Sequence, residues 1–259
     1  MKARAWVMTK PGKLELQEFE VPKVAEDAAL LKVEACGVCG TDKHAYLGRI
    51  RTASFPFIPG HEILGTIIEV GKSANEKMAV VGAGPLKEGD RVALAPPALP
   101  CGRCWYCLHM PQRPSFCLNR MAYGLISTTN PPGLWGGFAD YIYLHHRTWA
   151  FKLPDKMAME KAILVEPMAT GLRAVERAHN PGESFVGHGY GVGSSAMVLG
   201  TGPIGLMVIA ALRTTGANLI IAQDILQSRL EMAKRMGADL AIDGKLPLDQ
   251  RLQQVQDAT

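Results

Sequence analysis

Residues 200–205 read Gly-Thr-Gly-Pro-Ile-Gly, between the apolar Met197-Val198-Leu199 and an apolar run that ends at Leu212. This stretch limits the fold more than any other. Within six residues a strand must end, the backbone must turn, and a helix must begin. The first glycine permits the tight turn, the second lets a phosphate approach the main chain, and the third lets helix and strand pack closely. A second strand is predicted over Asn218 to Gln223, followed by Asp224, nineteen residues after Gly205. Strand, glycine turn, helix, strand and acid make a parallel β-α-β unit that places a dinucleotide pyrophosphate at a helix N-terminus. Gly200, Gly202, Pro203, Ile204 and Gly205 are therefore candidate cofactor-binding residues. Asp224 can accept hydrogen bonds from ribose hydroxyls and would repel the extra phosphate of NADP, so NAD is the expected cofactor. An amphipathic helix is predicted over Ser228 to Met236, with Leu230, Ala233 and Met236 on one face and Gly237 as its stop. Two other glycine-rich stretches fit less well. After Val81-Gly82-Ala83-Gly84-Pro85, Lys87 stands where the third glycine belongs. The stretch from Gly187 to Gly193 runs into a strand and reads as a loop.

Before about residue 160 the pattern differs. Short apolar segments alternate with Gly and Pro: Leu30 to Val33, Ile63 to Val70, Gly89 to Leu94 and Gly137 to Leu144. Such spacing suggests a β-rich, barrel-like domain. From Ala162 to Ala178 the chain reads as helix. Apolar residues make up 47% of the chain, enough for a real core, and the 28 basic and 24 acidic residues are scattered. Neither a nucleic-acid footprint nor a membrane-surface patch is expected. The apolar run from Met197 to Leu212 is broken by Gly200, Gly202, Pro203 and Gly205, so no membrane span is expected, and the N-terminus lacks the apolar core of a secretory signal. The expected location is the cytoplasm.

All six cysteines fall between Cys36 and Cys117. Cys101, Cys104 and Cys107 follow at two-residue gaps, and Cys117 comes after them. Four thiolates close a tetrahedral zinc shell and leave no position for substrate, which makes this a structural site. A second constellation is dispersed: Cys36-Gly-Val-Cys39-Gly-Thr41-Asp42, then Gly60-His61-Glu62, then Val165-Glu166-Pro167. A catalytic zinc takes such mixed donors and keeps one position open. His61 or Cys36 alone would read as core packing; the combination gives them weight.

Gly-Val-Cys-Gly-Thr-Asp, Gly-His-Glu, the Cys101 to Cys117 lobe, Gly-Gly-Phe-Ala-Asp-Tyr, Glu-Pro-Met-Ala-Thr and Gly-Thr-Gly-Pro-Ile-Gly occur here in that order. In this the chain resembles the zinc-dependent alcohol dehydrogenases of the medium-chain dehydrogenase/reductase family, over essentially its whole length. The resemblance implies an α/β plus β architecture: a GroES-like β-rich catalytic domain over residues 1–160, its structural zinc lobe at about 96–120, and a partial Rossmann domain, a doubly wound parallel sheet, over 161–259. It puts Cys39 and His61 on a catalytic zinc, with Glu62 and Glu166 supplying a further ligand directly or through water. Glu166 resembles the polyol and threonine dehydrogenase branch, where simple-alcohol enzymes carry Cys. Asp42 matches a residue that orients the zinc histidine. Thr41 and His44 match a proton relay, Thr170 a position beside the nicotinamide, and Arg229 a cofactor-binding position. The implied chemistry is hydride transfer between an alcohol or polyol and NAD, with zinc as Lewis acid, Thr41 passing the proton outward and His44 accepting it on the solvent side. A homo-oligomer is implied for the full-length enzyme.

The sequence departs from this pattern in places. Nine residues, rather than the usual seven, separate Cys107 from Cys117, and Ser115 stands at the usual place of the last cysteine; an insertion near His109 to Pro114 would return Cys117 to the site. The segments Ser73 to Lys87 and Pro181-Gly182 to Met197 are long. A complete dinucleotide domain has two halves and six strands. This chain reaches two strands and the start of a third near Leu240 to Ile242 before Thr259, so the resemblance implies that the second half is missing and a sheet edge is exposed. The competing expectation is a zinc-stabilised binding or regulatory remnant. A zinc-ribbon nucleic-acid binder ranks last, because the lobe offers only Arg103, Arg113 and Arg120 as a basic face.

Overall fold

A hairpin outside the predicted strands opens the chain. Strand β1 (Lys2–Lys10) pairs antiparallel with β2 (Lys13–Glu20) around the two-residue turn Pro11-Gly12, where Gly12 has φ +77°. Pro then Gly is the sequence for a turn whose second residue is left-handed. Ala3, Ala5 and Val7 alternate inward on β1 and join the main core.

The computed structural model describes residues 1–51, 53–178 and 190–259. They divide into units Met1–Glu166 and Pro167–Thr259, the division falling in the first turn of a helix. In the first unit the later elements are β3 (Ala29–Gly37), α1 (Gly40–Tyr46), β4 (Glu62–Val70), α2 (Ala74–Lys77), β5 (Ala79–Val81), β6 (Arg91–Leu94), β7 (Ala98–Leu99), α3 (Trp105–His109), β8 (Met121–Ala122), β9 (Tyr141–Leu144), β10 (Trp149–Lys152) and α4 (Met159–Ala162). Six of the strands form one sheet in the order β5-β10-β6-β4-β3-β9, antiparallel except for β5 beside β10. Leu31, Ile63, Ile67, Leu94, Ile142 and Leu144 sit in its core.

The ladder that matters for chemistry is β3 against β4. Its register shifts at Leu30/Leu31 and again at Val33/Ala35, and it ends with Cys36 opposite Ile63 and Gly37 opposite Glu62. Bulges of this kind re-aim side chains near functional sites. The predicted strand over Gly137 to Leu144 is shorter than expected. Only Tyr141–Leu144 pairs as β9. A Cβ on Gly136 would stand 1.9 Å from the Ile58 carbonyl oxygen, and Gly137 N–H donates to the Gly60 carbonyl at 2.9 Å. The double glycine serves close main-chain approach, and the chain is drawn out of the ladder there.

The predicted helix over Ala162 to Ala178 forms as α5 (Val165–Ala178), three residues late, and Ala162 instead ends α4. Pro167 is tolerated in the first turn of α5, where no intrahelical donor is required. In the second unit β11 (Ser195–Leu199), β12 (Leu219–Asp224) and β13 (Leu240–Asp243) run parallel in the order β11-β12-β13. Helices α6 (Pro203–Thr214) and α7 (Gln227–Arg235) make the crossovers, and α8 (Leu248–Ala258) follows β13. Val198, Ile209, Leu212, Ile220, Ala222 and Ala233 form the core of this unit. Of the expected glycine loop, residues 187–189 lie outside the described residues, as do Pro181 and Gly182; Gly193 and Ser194 lead into strand β11.

Candidate metal centres and dinucleotide turn

The lobe between β7 and β8 brings four sulfurs together. Cys104 precedes α3, Cys107 lies within it, and a short 3-10 turn over Pro114–Phe116 delivers Cys117, which is buried. Ser115 lies in that turn, outside the sulfur group. The Sγ atoms of Cys101 and Cys107 are 3.9 Å apart, those of Cys104 and Cys107 3.5 Å, and those of Cys104 and Cys117 3.9 Å. A tetrahedron with sulfur about 2.3 Å from its centre has edges of about 3.8 Å. None of the cysteines is in a disulfide. Main-chain N–H groups face the sulfurs: those of Arg103 and Cys107 head the causes that hold the Cys101 and Cys104 thiols below the ordinary cysteine range. Cys101 N–H also donates to Cys117 Sγ at 3.1 Å. Burial pushes the Cys107 thiol the other way, up to about 11. Four sulfurs at the edge length of a ZnS4 tetrahedron, two of them with lowered pKa, fit zinc by chemistry and size.

The second group forms at the end of the β3–β4 ladder. Ligand atoms of Cys39, His61 and Glu62 all lie within 4.8 Å of one another. Cys39 sits two residues beyond β3, immediately before α1, and His61 sits immediately before β4, so the antiparallel pairing makes them neighbours. Asp42, 6% exposed, locks both approaches. Its Oδ2 accepts the N–H of Cys39 at 2.9 Å and its Oδ1 accepts the N–H of Gly60 at 3.0 Å. Its Oδ1 is 3.9 Å from His61 Nδ1. The carboxylate thus holds the two main chains that carry Cys39 and His61, while its distance to the imidazole exceeds a hydrogen bond. Sulfur, imidazole and carboxylate in one pocket are the donor set of an open zinc site.

Other expected residues fall around this group. Cys39 Sγ is 3.7 Å from Thr41 Oγ1. His44 is exposed on α1, three residues after Thr41. Glu166 lies outside the three-residue group but faces it: burial raises its carboxyl above the ordinary range, with His61 opposing and Glu62 adding to the shift. Cys36 is not in the group. Its thiol donates to the Gly37 carbonyl at 3.5 Å, and burial first, then Asp42 and Glu62, push its pKa far up.

In the second unit Gly200 has φ +87°, and a Cβ on Gly205 would stand 2.0 Å from the Gly200 carbonyl oxygen. A Cβ on Gly202 would meet nothing nearer than Arg229 Nη1 at 4.0 Å. The first and third glycines are demanded by the turn itself, and the second leaves open space before α6, where Pro203 and Ile204 begin the helix. Asp224 Oδ2 accepts Thr201 N–H at 2.7 Å and Thr201 Oγ1–H at 3.3 Å, and its Oδ1 accepts Leu226 N–H at 3.0 Å. Burial works to raise its pKa, and these N–H groups overcome it. Arg229 Nη1 lies 3.6 Å from Asp224 Oδ2. Thr170 is exposed on α5, beside Gly171, which packs directly on Met207 of α6. Sequence patterning pointed to neither the main-chain clamp of Asp42 nor the seat that Gly37 provides for Glu62; both follow from the β3–β4 register.

Comparison with known proteins gives one consistent result. Residues 25–155 match the alcohol dehydrogenase GroES-like domain. The sorbitol dehydrogenase of Bacillus subtilis is 35% identical over 239 residues, covering 91% of this chain and 59% of that protein. The crystal structure of an alcohol dehydrogenase from Thermotoga maritima superposes with a TM-score of 0.86 at 27% identity, over 100% of this chain and 68% of that one. An alcohol dehydrogenase of Escherichia coli, solved with NADH, gives a TM-score of 0.76 at 27% identity over 98% of this chain and 66% of that one. The chain spans about 60% of the length of the curated relatives it matches. Among the described residues no helix is long and apolar enough to cross a membrane. With a GroES-like domain matched over half its length and a parallel three-stranded sheet behind the glycine turn, the chain belongs to the zinc-type alcohol dehydrogenases of the medium-chain dehydrogenase/reductase family.

Proposed function

We propose that this chain serves a zinc-dependent oxidoreductase that transfers hydride between a primary or secondary alcohol, or a polyol, and NAD. The observation that carries the reading is the mixed group of Cys39, His61 and Glu62 on a main chain clamped by Asp42. Zinc held there supplies Lewis acidity that makes an alcohol proton easier to lose. NAD supplies the hydride acceptor. The remaining work belongs to the protein's own groups. Thr41, beside Cys39, accepts the substrate proton at its hydroxyl oxygen as its own hydroxyl proton passes outward to His44. His44, one turn along the same face of α1, hands it to water. Asp42 keeps the two ligand-bearing segments from drifting apart. Glu62 or Glu166 supplies a further ligand, directly or through water. The Cys101, Cys104, Cys107 and Cys117 lobe holds a second, structural zinc.

Asp224 supports NAD over NADP. Its carboxylate closes strand β12, held there by the N–H groups of Thr201, Leu226 and Ile225. The negative charge it carries disfavours the extra phosphate of NADP. Gly200, Gly202, Pro203, Ile204 and Gly205 cradle the pyrophosphate, with Arg229 at its flank and Thr170 beside the nicotinamide. The resemblance to sorbitol dehydrogenase supports polyols as the first substrates to assay.

The test is a titration of the zinc-loaded chain with NADH and NADPH, read by energy transfer from Trp6, Trp105, Trp135 and Trp149 to the nicotinamide. The expected result is saturable NADH binding that Asp224→Ala weakens and NADPH does not match. Binding of NADPH at equal affinity overturns the cofactor assignment. Absence of any binding by folded, zinc-loaded protein favours a binding or regulatory role over catalysis.

A further inference from the structure

Gly37 is the last residue of β3 and pairs in register with Glu62, the first of β4. A Cβ at Gly37 would stand 2.0 Å from Glu62 Oε2 and 3.0 Å from both Glu62 Cβ and Cδ. Its φ lies outside the left-handed region that favours glycine. Glycine inside a strand otherwise weakens it and often marks a close approach. What glycine provides here, and no other residue can, is the volume that the Glu62 carboxylate fills. With that volume available, the Glu62 side chain lies across the end of β3 and its carboxylate stays with Cys39 and His61.

We infer that Gly37 is a positioning residue for the catalytic metal: it admits the Glu62 carboxylate to the Cys39–His61 group, and any side chain at position 37 expels it. The inference rests on the reading of that group as the zinc site. It accounts for the glycine of Cys-Gly-Val-Cys by the same ladder that brings the two motifs together. It also separates the two acids: Glu62 fills the gap at Gly37, whereas Glu166 stands on α5, outside the three-residue group.

The experiment is a double-mutant cycle of wild type, Gly37→Ala, Glu62→Ala and Gly37→Ala/Glu62→Ala, each titrated with Co2+ against a chromogenic chelator. Cobalt in the four-thiolate lobe and cobalt in the mixed group differ in thiolate charge-transfer intensity, so the two equivalents are read separately. The expected result is a loss of about 10–100-fold in affinity at the mixed group for Gly37→Ala, the range found when a ligand's support is removed, with the lobe equivalent unchanged. Glu62→Ala gives a comparable loss, and the double variant adds nothing to it, the non-additivity of residues acting through one another. Wild-type affinity in Gly37→Ala overturns the inference, as do losses that multiply in the double variant. Should Gly37→Ala lose the lobe equivalent too, the comparison of Glu62→Ala with the double variant decides, because the expelled carboxylate is absent from both. Equal affinity supports the inference and a further drop overturns it. A wild-type chain that takes up only the lobe equivalent overturns the metal-site reading itself, which distinguishes that failure from a fault in the role of Gly37.

Discussion

The four-cysteine lobe and the Cys39–His61–Glu62 group use opposite constructions. The lobe takes four like donors from Cys101 to Cys117, one loop with two short turns of helix, and supplies its own N–H donors to the sulfurs. The mixed group takes three unlike donors from the ends of a strand ladder, and its order comes from elsewhere: the β3–β4 register, the Asp42 carboxylate and the gap at Gly37. A loop that wraps an ion gains its shape from the ion. A group seated on a sheet has its shape before the ion arrives, and three protein ligands leave the open position that catalysis requires.

The comparison breaks most readily at the lobe. Cys104→Ser should remove one equivalent of zinc and cost several kcal/mol of stability, because binding energy at a structural zinc site is largely folding energy. Zinc content and the thermal midpoint measure it together. A loss of metal with an unchanged midpoint would show that the lobe folds without its ion, and the contrast between the two constructions would fail.

A smaller effect is expected at the scaffolded group. Asp42→Ala leaves the N–H groups of Cys39 and Gly60 without their partner, at a cost of about 1–3 kcal/mol for each that stays buried. Affinity at the mixed group should fall while the lobe keeps its zinc. Asp42→Asn keeps one side-chain acceptor, so it should recover part of the affinity. Equal losses from both variants would mean that the carboxylate's charge, and not its grip on two main chains, is what matters.

The same contrast explains what was legible in the sequence. The lobe could be read from the sequence because its donors are local, although the usual spacing pointed to Ser115 and only residue type picked out Cys117. Cys39, His61 and Glu62 could be gathered only from the order of motifs along the chain, since a ladder between residues 29 and 70 brings them together. What Asp42 holds was hidden, because its partners are main-chain N–H groups on two segments and carry no residue signature. The strand predicted from Gly137 begins only at Tyr141 for a related reason: Gly136 and Gly137 fit the carbonyls of Ile58 and Gly60, a tertiary demand that holds the chain off the ladder there. The hairpin of β1 and β2 carried the signal of Ala3, Ala5 and Val7 in alternation with Lys2, Arg4 and Trp6, and small alanines make that alternation faint.

Arg147 gives the finest test. It lies in the connection between β9 and β10, half-buried, and its Nη1 donates to the Pro100 carbonyl at 3.0 Å. Its guanidinium also lies against Gly102, where an added Cβ would stand 3.1 Å from Cζ. The main barrel thus touches the lobe at the two residues flanking Cys101. If the lobe is shaped by its ion, this contact only steadies it. Arg147→Ala should then cost about 1.5–3 kcal/mol, the worth of one hydrogen bond from a charged donor, leave zinc content intact, and speed chelator extraction from the lobe by at most about 10- to 150-fold, the same free energy converted. The thermal midpoint and the extraction half-time at the lobe check this. An unchanged half-time would mean that the lobe is wholly self-sufficient. A loss of zinc as large as that of Cys104→Ser would mean that it, too, depends on the barrel for its shape, and the two centres would then differ only in their donors.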